Sequence, residues 1–252
     1  MIEIKNVSKK YGEKIVVSEV RLPITEKKLT AFIGPNGAGK STLLSMISRL
    51  IPKDTGEIYL DHNEVKTWKQ NDLSQKLSIL KQANDINLKL TVRELVNFGR
   101  FPYSKGRLKK EDHEKVDEAM ENLGLMMLAN ELIDTLSGGQ LQRVYIAMVL
   151  AQDTDYILLD EPLNNLDMNY AVQMMQTLRR LVDEFGKTVI IVLHDINFAA
   201  SYADEIVAMK EGRLYTHGTT DEVIQSELLN KLYDMNIRIC EIEGKRFCMY
   251  FT

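Results

Sequence analysis

Gly34-Pro35-Asn36-Gly37-Ala38-Gly39-Lys40-Ser41, followed by Thr42, mixes permissive glycines with one cation and two hydroxyls. Glycines let a backbone curl until successive amides face one point, and a helix starting at Lys40 turns its positive end toward that point. The spacing is that of a phosphate-binding loop, in which Lys40 would reach the outer phosphates and the Ser41 hydroxyl would ligate Mg²⁺. Asp160 and Glu161 stand directly after the apolar run Tyr156-Ile157-Leu158-Leu159. A carboxylate at the strand end can hold the Mg²⁺ shell, and the next one can polarise a water attacking the terminal phosphate. His194 follows a second such run, Val189 to Leu193. Leu136-Ser137-Gly138-Gly139-Gln140 offers another anion site. Its serine and glutamine stand in capping-box register, and the glycines would bare the amides of a helix start. One chain rarely needs two such sites for one nucleotide.

These groups need elements to carry them. Ile2-Glu3-Ile4 alternates as a strand does, and Lys28 to Ile33 is a short apolar run ending at a glycine. Lys40 to Leu50 has helical spacing, closed by Pro52, and Gly56 to Leu60 returns to strand. The runs ending at Ile33, Leu159 and Leu193 read as strands buried on both faces of a parallel sheet. Ligands of open α/β sheets bind beyond the carboxyl ends of the strands. The three runs are therefore expected to deliver the phosphate loop, the carboxylate pair and the histidine to one edge. Asp167 to Phe185 fits a crossover helix between the second and third. From Ala83 to Ala151 the pattern turns helical, with a capping box at Thr91-Val92-Arg93-Glu94 and a charged amphipathic helix over Lys109 to Leu123.

A length of 252 residues, 44% apolar and 27% charged, suits one large α/β domain with a lobe inserted, and argues against disorder. A net charge of −4 gives no basic excess of the kind that advertises nucleic-acid binding. No apolar run approaches the roughly 18–20 residues that span a bilayer, and the start Met1-Ile2-Glu3 lacks a signal peptide's pattern, so a cytosolic chain is expected. Cys240 and Cys248 flank Glu243-Gly244-Lys245, which reads as a hairpin turn; free thiols are expected there.

The segment Leu136 to Gln140 resembles the signature motif of the ABC transporter ATPases, and the likeness runs along essentially the whole chain in the right order. It implies an α/β P-loop NTPase core with a mostly parallel sheet, an N-terminal antiparallel β subdomain and an inserted α-helical subdomain. Within one domain over 1–252, the core would take 1–82 and 152–252, and the helical subdomain 83–151. The resemblance further implies ATP and Mg²⁺. Two ATPase subunits would pack head to tail, as a homodimer, each ATP lying between the phosphate loop of one and the signature residues Ser137, Gly138, Gly139 and Gln140 of the other. Tyr11 matches the aromatic that stacks on adenine. Gln82 matches the glutamine that touches Mg²⁺ and hinges the helical lobe. Asp167, in Asn164-Asn165-Leu166-Asp167, matches the aspartate of the loop that crosses to the opposite site, although Leu163-Asn164 departs from the commoner pairs there. Glu161 would be the catalytic base, His194 the switch that senses the γ-phosphate, and Lys40 the phosphate-binding cation.

Thr91 to Tyr103 resembles importers of ferric siderophores, haem and cobalamin. An integral membrane permease would then be a separate chain, docked beside Gln82 from Ala83 through Arg93, at the cytoplasmic face of the membrane. An extracytoplasmic substrate-binding protein would join indirectly, and no nucleic acid. A soluble ATPase acting on ribosomes or DNA is the competing class. It usually brings tandem domains or a long coiled coil, and neither is visible here.

Overall fold

Five consecutive residues, Leu29 to Ile33, are buried without exception, a state open to a strand only when it has neighbours on both edges and cover on both faces. The computed structural model describes residues 1–81 and 89–250 and divides them between two compact units, Met1–Trp68 with Thr188–Thr252, and Lys69–Lys187.

The first unit begins with β1 (Ile2–Tyr11), β2 (Lys14–Ile24), β3 (Leu29–Ile33), α1 (Lys40–Ile47), β4 (Thr55–Leu60) and β5 (Asn63–Glu64). An antiparallel sheet in the order β2-β1-β4-β5 uses the first two and last two of its strands. Ile2 pairs with Ile24 on one side and Leu60 on the other, and all three are buried. Helix α1 stops at Ile47 and not at Leu50. Arg49 takes a left-handed φ of 59°, and the Ser48 hydroxyl donates to the carbonyls of Leu44 and Ser45, which competes with further helix. The Arg49 guanidinium then donates to the Trp68 carbonyl at 2.6 Å.

The second unit holds α2 (Gln70–Lys76), β6 (Leu77–Leu80), α3 (Val92–Asn97), α4 (Phe101–Ser104), α5 (Lys110–Asn122), α6 (Gly138–Ala151), β7 (Tyr156–Asp160) and α7 (Met168–Asp183). Strands β6 and β7 pair in parallel, Leu77 against Tyr156. The expected capping box at Thr91 is present with both of its reciprocal bonds. Helix α5 follows the charged amphipathic pattern, burying Val116, Ala119 and Met120.

Back in the first unit come β8 (Thr188–Val192), α8 (Ile196–Tyr202), β9 (Glu205–Lys210), β10 (Arg213–Thr219), α9 (Thr220–Val223), α10 (Ser226–Tyr233), β11 (Arg238–Ile242) and β12 (Lys245–Met249). Strand β3 lies parallel to both β8 and β9, and β10 returns antiparallel on β9. The expected hairpin forms, with Glu243 and Gly244 both at positive φ in its turn. Cys240 stands opposite Phe247 and Cys248 opposite Ile239, so the pleat sends the two sulfurs to opposite faces; both thiols are free. Among the described residues, no helix is long and apolar enough to cross a membrane.

One buried ion pair fixes the helices of the second unit. The Arg100 Nε donates to Asp112 at 2.9 Å, both side chains being under a tenth exposed. A second nitrogen of Arg100 donates to the Ala151 carbonyl, and the Lys109 amide donates to Asp112. Burial pushes the Asp112 carboxyl upward, but the Lys109 amide and the Arg100 charge together hold it below its ordinary value of 3.8. Arg100→Met strands that carboxylate and is expected to cost about 3 kcal/mol in urea unfolding at pH 7. Because the folded value is depressed, the contribution is full at neutral pH and fades as pH falls through the folded value. The gap between wild type and variant should therefore narrow below about pH 4.

Candidate nucleotide site

In the first unit, β3 ends at Ile33 and the chain enters the loop expected to bind phosphate. Gly34 has a φ of 135°, and a Cβ there would lie 2.1 Å from the Met209 carbonyl oxygen. Gly39, at 98°, caps α1 in the left-handed region, and a Cβ on it would meet the Val16 carbonyl at 2.6 Å. Both positions exclude any side chain. Gly37, at 77°, needs glycine for its backbone alone, since nothing lies within 4 Å. Lys40 is buried, and its ammonium donates to the carbonyls of Gly34 and Pro35 at 2.7 and 3.0 Å. A cation is thus seated inside a loop of backbone amides, at the start of a helix that no side chain caps. Ser41 and Thr42 follow in the first turn of that helix. Such a donor set fits a polyanion and suits no apolar ligand.

Two other expected residues belong to the same unit. Tyr11 ends β1 and is 53% exposed, with the Lys9 ammonium 5.5 Å from its ring centroid, an aromatic side chain able to stack on a base. His194 is exposed just beyond β8, and the Leu193 amide before it donates to the Phe32 carbonyl, tying that strand end to β3.

The second unit holds the remainder. Asp160 is the buried last residue of β7. Glu161, only 9% exposed, adopts a left-handed φ of 52°, a conformation that costs a non-glycine residue roughly 1 kcal/mol or more. Its Oε2 accepts a hydrogen bond from Asn164 Nδ2 at 2.9 Å, and its carbonyl accepts one from the Asn164 amide. The strained turn and the asparagine together aim the carboxylate. Asp167 caps α7, accepting the Tyr170 amide at 3.0 Å.

Ser137 caps α6 in the expected box. Its hydroxyl accepts the Gln140 amide, and Gln140 Oε1 accepts the Ser137 amide at 2.9 Å. Gly138 and Gly139 form the first turn. A Cβ on Gly139 would come within 2.9 Å of the Asn165 carbonyl, so this glycine lets α6 approach the loop carrying Glu161 to Asp167. Gln142 strengthens the contact by donating to the Pro162 carbonyl at 3.1 Å. Gln82 lies outside the described residues. Three contributors escaped the sequence: Asn164 as the partner of Glu161, Gln142 as the strut, and Tyr233, whose hydroxyl accepts the Gly34 amide at 3.0 Å. For the first two the signal that could have found them is a polar residue within a few positions of a motif. Nothing local could flag a tyrosine 199 residues from its partner.

A family described as ABC transporter matches residues 17–164. The petrobactin import ATP-binding protein YclP of Bacillus subtilis is 54% identical over 252 residues, which is 100% of each chain. The petrobactin import ATP-binding protein FatE of Bacillus anthracis is 51% identical over 239 residues, covering 95% of this chain and 96% of its own. Among solved structures, the dimeric post-hydrolysis state of the ATP-binding cassette MJ0796 bound to ADP and Pi superposes with a TM-score of 0.79 at 34% identity, covering 87% of this chain and 99% of the other.

The glycines give a paired prediction. Gly34→Ala forces a methyl into the Met209 carbonyl and should cost about 3 kcal/mol, whereas Gly37→Ala meets only backbone strain and should cost about 1 kcal/mol. Thermal melting of the two variants without nucleotide checks the order.

Proposed function

The chain belongs to the ABC transporter family of ATP-binding proteins, whose members hydrolyse ATP, and on that premise we propose that it powers import of a ferric siderophore through a separate permease. The observation that carries the cargo class is identity above one half, over the full length of both chains, with a protein named for petrobactin import. The motifs themselves would serve any cargo.

In this reading the loop from Gly34 to Thr42 wraps the ATP phosphates with the backbone amides beyond Pro35, those of Asn36 and Ala38 included, while Pro35, which has no N–H, shapes the turn. The Lys40 ammonium exchanges its bonds to the Gly34 and Pro35 carbonyls for bonds to phosphate oxygens. Tyr11 stacks on adenine. The hard oxygens of Ser41 and Asp160 suit Mg²⁺, with Gln82 as a third contributor, and the ion would supply charge neutralisation on the phosphates. Glu161 takes a proton from the attacking water, so that hydroxide forms the new bond to the γ-phosphorus as the bond to ADP breaks. Asn164 holds the base in place. His194 contacts the γ-phosphate and registers its loss.

Ser137, Gly138, Gly139 and Gln140 act in trans, on ATP held by a second copy packed head to tail. Asp167 lies in the loop that crosses between copies. ATP then works as glue, and hydrolysis removes the phosphate that both halves bind. The permease takes a groove of about 320 Å³ in the helical region, lined by Leu90, Phe98, Phe101 and Leu108 among others. Phe98 and Phe101 are 49% and 59% exposed there, an apolar invitation to a short helix. The protein would sit peripherally at the cytoplasmic face, with an extracytoplasmic binding protein delivering cargo to the permease.

Glu161→Gln should lower phosphate release by about 10²- to 10⁴-fold while fluorescent ATP analogues still bind and a dimer accumulates; unimpaired release would remove Glu161 from the role of base. Cells carrying that variant should lose uptake of labelled ferric petrobactin or another ferric siderophore, with haem and cobalamin uptake intact. Unchanged siderophore uptake would send the cargo assignment elsewhere.

A further inference from the structure

The carboxyl-terminal segment touches two loops of the nucleotide site, and both contacts lie inside the first unit. Tyr233 ends α10, and its Oη accepts the amide of Gly34, the first residue of the phosphate loop, at 3.0 Å. Gly34 is buried, so its N–H has no solvent to fall back on. Asn197, three residues beyond His194, clamps β12 from the other side. The Cys248 amide donates to Asn197 Oδ1 at 2.7 Å, and Asn197 Nδ2 donates to the Cys248 carbonyl at 3.3 Å. That two-way clamp closes on a residue only 3% exposed. The turn it grips is ordered in its own right, because Asp195 caps α8 by accepting the Asn197 amide at 2.8 Å.

Tyr233 and Cys248 are themselves neighbours electrostatically: each is pushed up chiefly by burial, the thiol to about 11, and the Cys248 and Tyr250 groups add to the rise at Tyr233. The carboxyl-terminal segment therefore reaches the site at two points, through Tyr233 at the entrance of the phosphate loop and through β12 at the turn that carries His194. Gly34 cannot be repositioned cheaply on its other side, where the Met209 carbonyl already touches its Cα hydrogen position.

We propose that the segment from Ser226 to Met249 is a brace for nucleotide binding, in which Tyr233 is a positioning residue for the phosphate loop and Asn197 ties the same brace to the His194 turn. The proposal rests on the reading of Gly34 to Ser41 as the phosphate loop. Tyr233 does not touch the nucleotide; it fixes the entry residue so that the amides beyond it are already aimed before ATP arrives. Preorganisation of that kind acts on affinity.

The test uses the purified full chain, with a fluorescent ATP analogue for affinity and phosphate release for KM and kcat. Tyr233→Phe keeps the ring and removes only the acceptor. It should weaken nucleotide binding and raise KM about threefold to tenfold, with kcat at saturating ATP within about twofold. Asn197→Ala should raise KM in the same direction, and the double variant should lose less than the product of the two single effects, as parts of one device do. Binding and KM equal to wild type in Tyr233→Phe, even with a lower melting temperature, would reduce the tyrosine to packing and overturn the brace. Multiplicative effects in the double variant would overturn it too, by making the contacts independent. Lys40→Ala separates this failure from a wider one. If wild type binds ATP and Lys40→Ala does not, the phosphate-loop reading stands whatever Tyr233→Phe does; if wild type binds none, that reading falls and the brace with it.

Discussion

A buried ammonium must be hydrogen-bonded or it will not stay charged. Lys40 meets that demand with the carbonyls of Gly34 and Pro35, and much of the first unit follows from it. To offer carbonyls inward, the loop must turn through left-handed conformations at Gly34, Gly37 and Gly39. To make those turns at close quarters, it must run against the Met209 and Val16 carbonyls with no Cβ in between. β3, held by β8 on one edge and β9 on the other, fixes where the loop begins. The parallel strands thus anchor a cation whose bonds to backbone can be traded for stronger ones to phosphate.

The second unit uses a different device for its acidic residues. Glu161 sits at the end of a fully buried strand in a conformation that disfavours any side chain with a Cβ, so the strain must be offset by what surrounds it. Asn164 bonds both its carboxylate and its carbonyl, and Gln142 from α6 grips the Pro162 carbonyl between them. Gly139 makes room for that helix to approach Asn165. Signature glycine and acidic loop are consequently one packed object: a side chain at Gly139 would disturb the loop that aims Glu161, besides whatever it did to an anion at the helix start.

Local geometry is what made these motifs readable. A phosphate loop, a capping box and an apolar run before paired acids are each set by a few neighbouring φ and ψ values, and residue type limits those values strongly. The boxes at Thr91 and Ser137 formed bond for bond, and the strand ending at Ile33 matches the run that announced it, while those announced to end at Leu159 and Leu193 close one residue later and one earlier. Helical spacing to Leu50 overshoots the end of α1 by three residues, because Ser48 and Arg49 leave the helix to serve bonds that periodicity does not encode. Long-range contacts were closed to sequence reading altogether. Nothing about Tyr233 or Asn197 in their own neighbourhoods points to Gly34 or to Cys248. The opposite faces of Cys240 and Cys248 could be read only once the hairpin register was known.

The same contrast separates what this chain does from what it does it for. ATP chemistry needs fixed atoms at fixed distances, so it is written in glycines, one lysine and a few acids that tolerate no alternative. Cargo never meets those residues. Its trace in an ATPase can lie only in surfaces that recognise a permease, the role proposed above for the groove around Phe98 and Phe101, where many apolar solutions fit and no single residue is obligatory. Similarity across the whole length is the fitting measure for such a diffuse surface. Identity of 54% with a petrobactin-import protein over the full length of both chains, many more positions than the motifs hold, therefore bears on cargo in a way that matching motifs cannot.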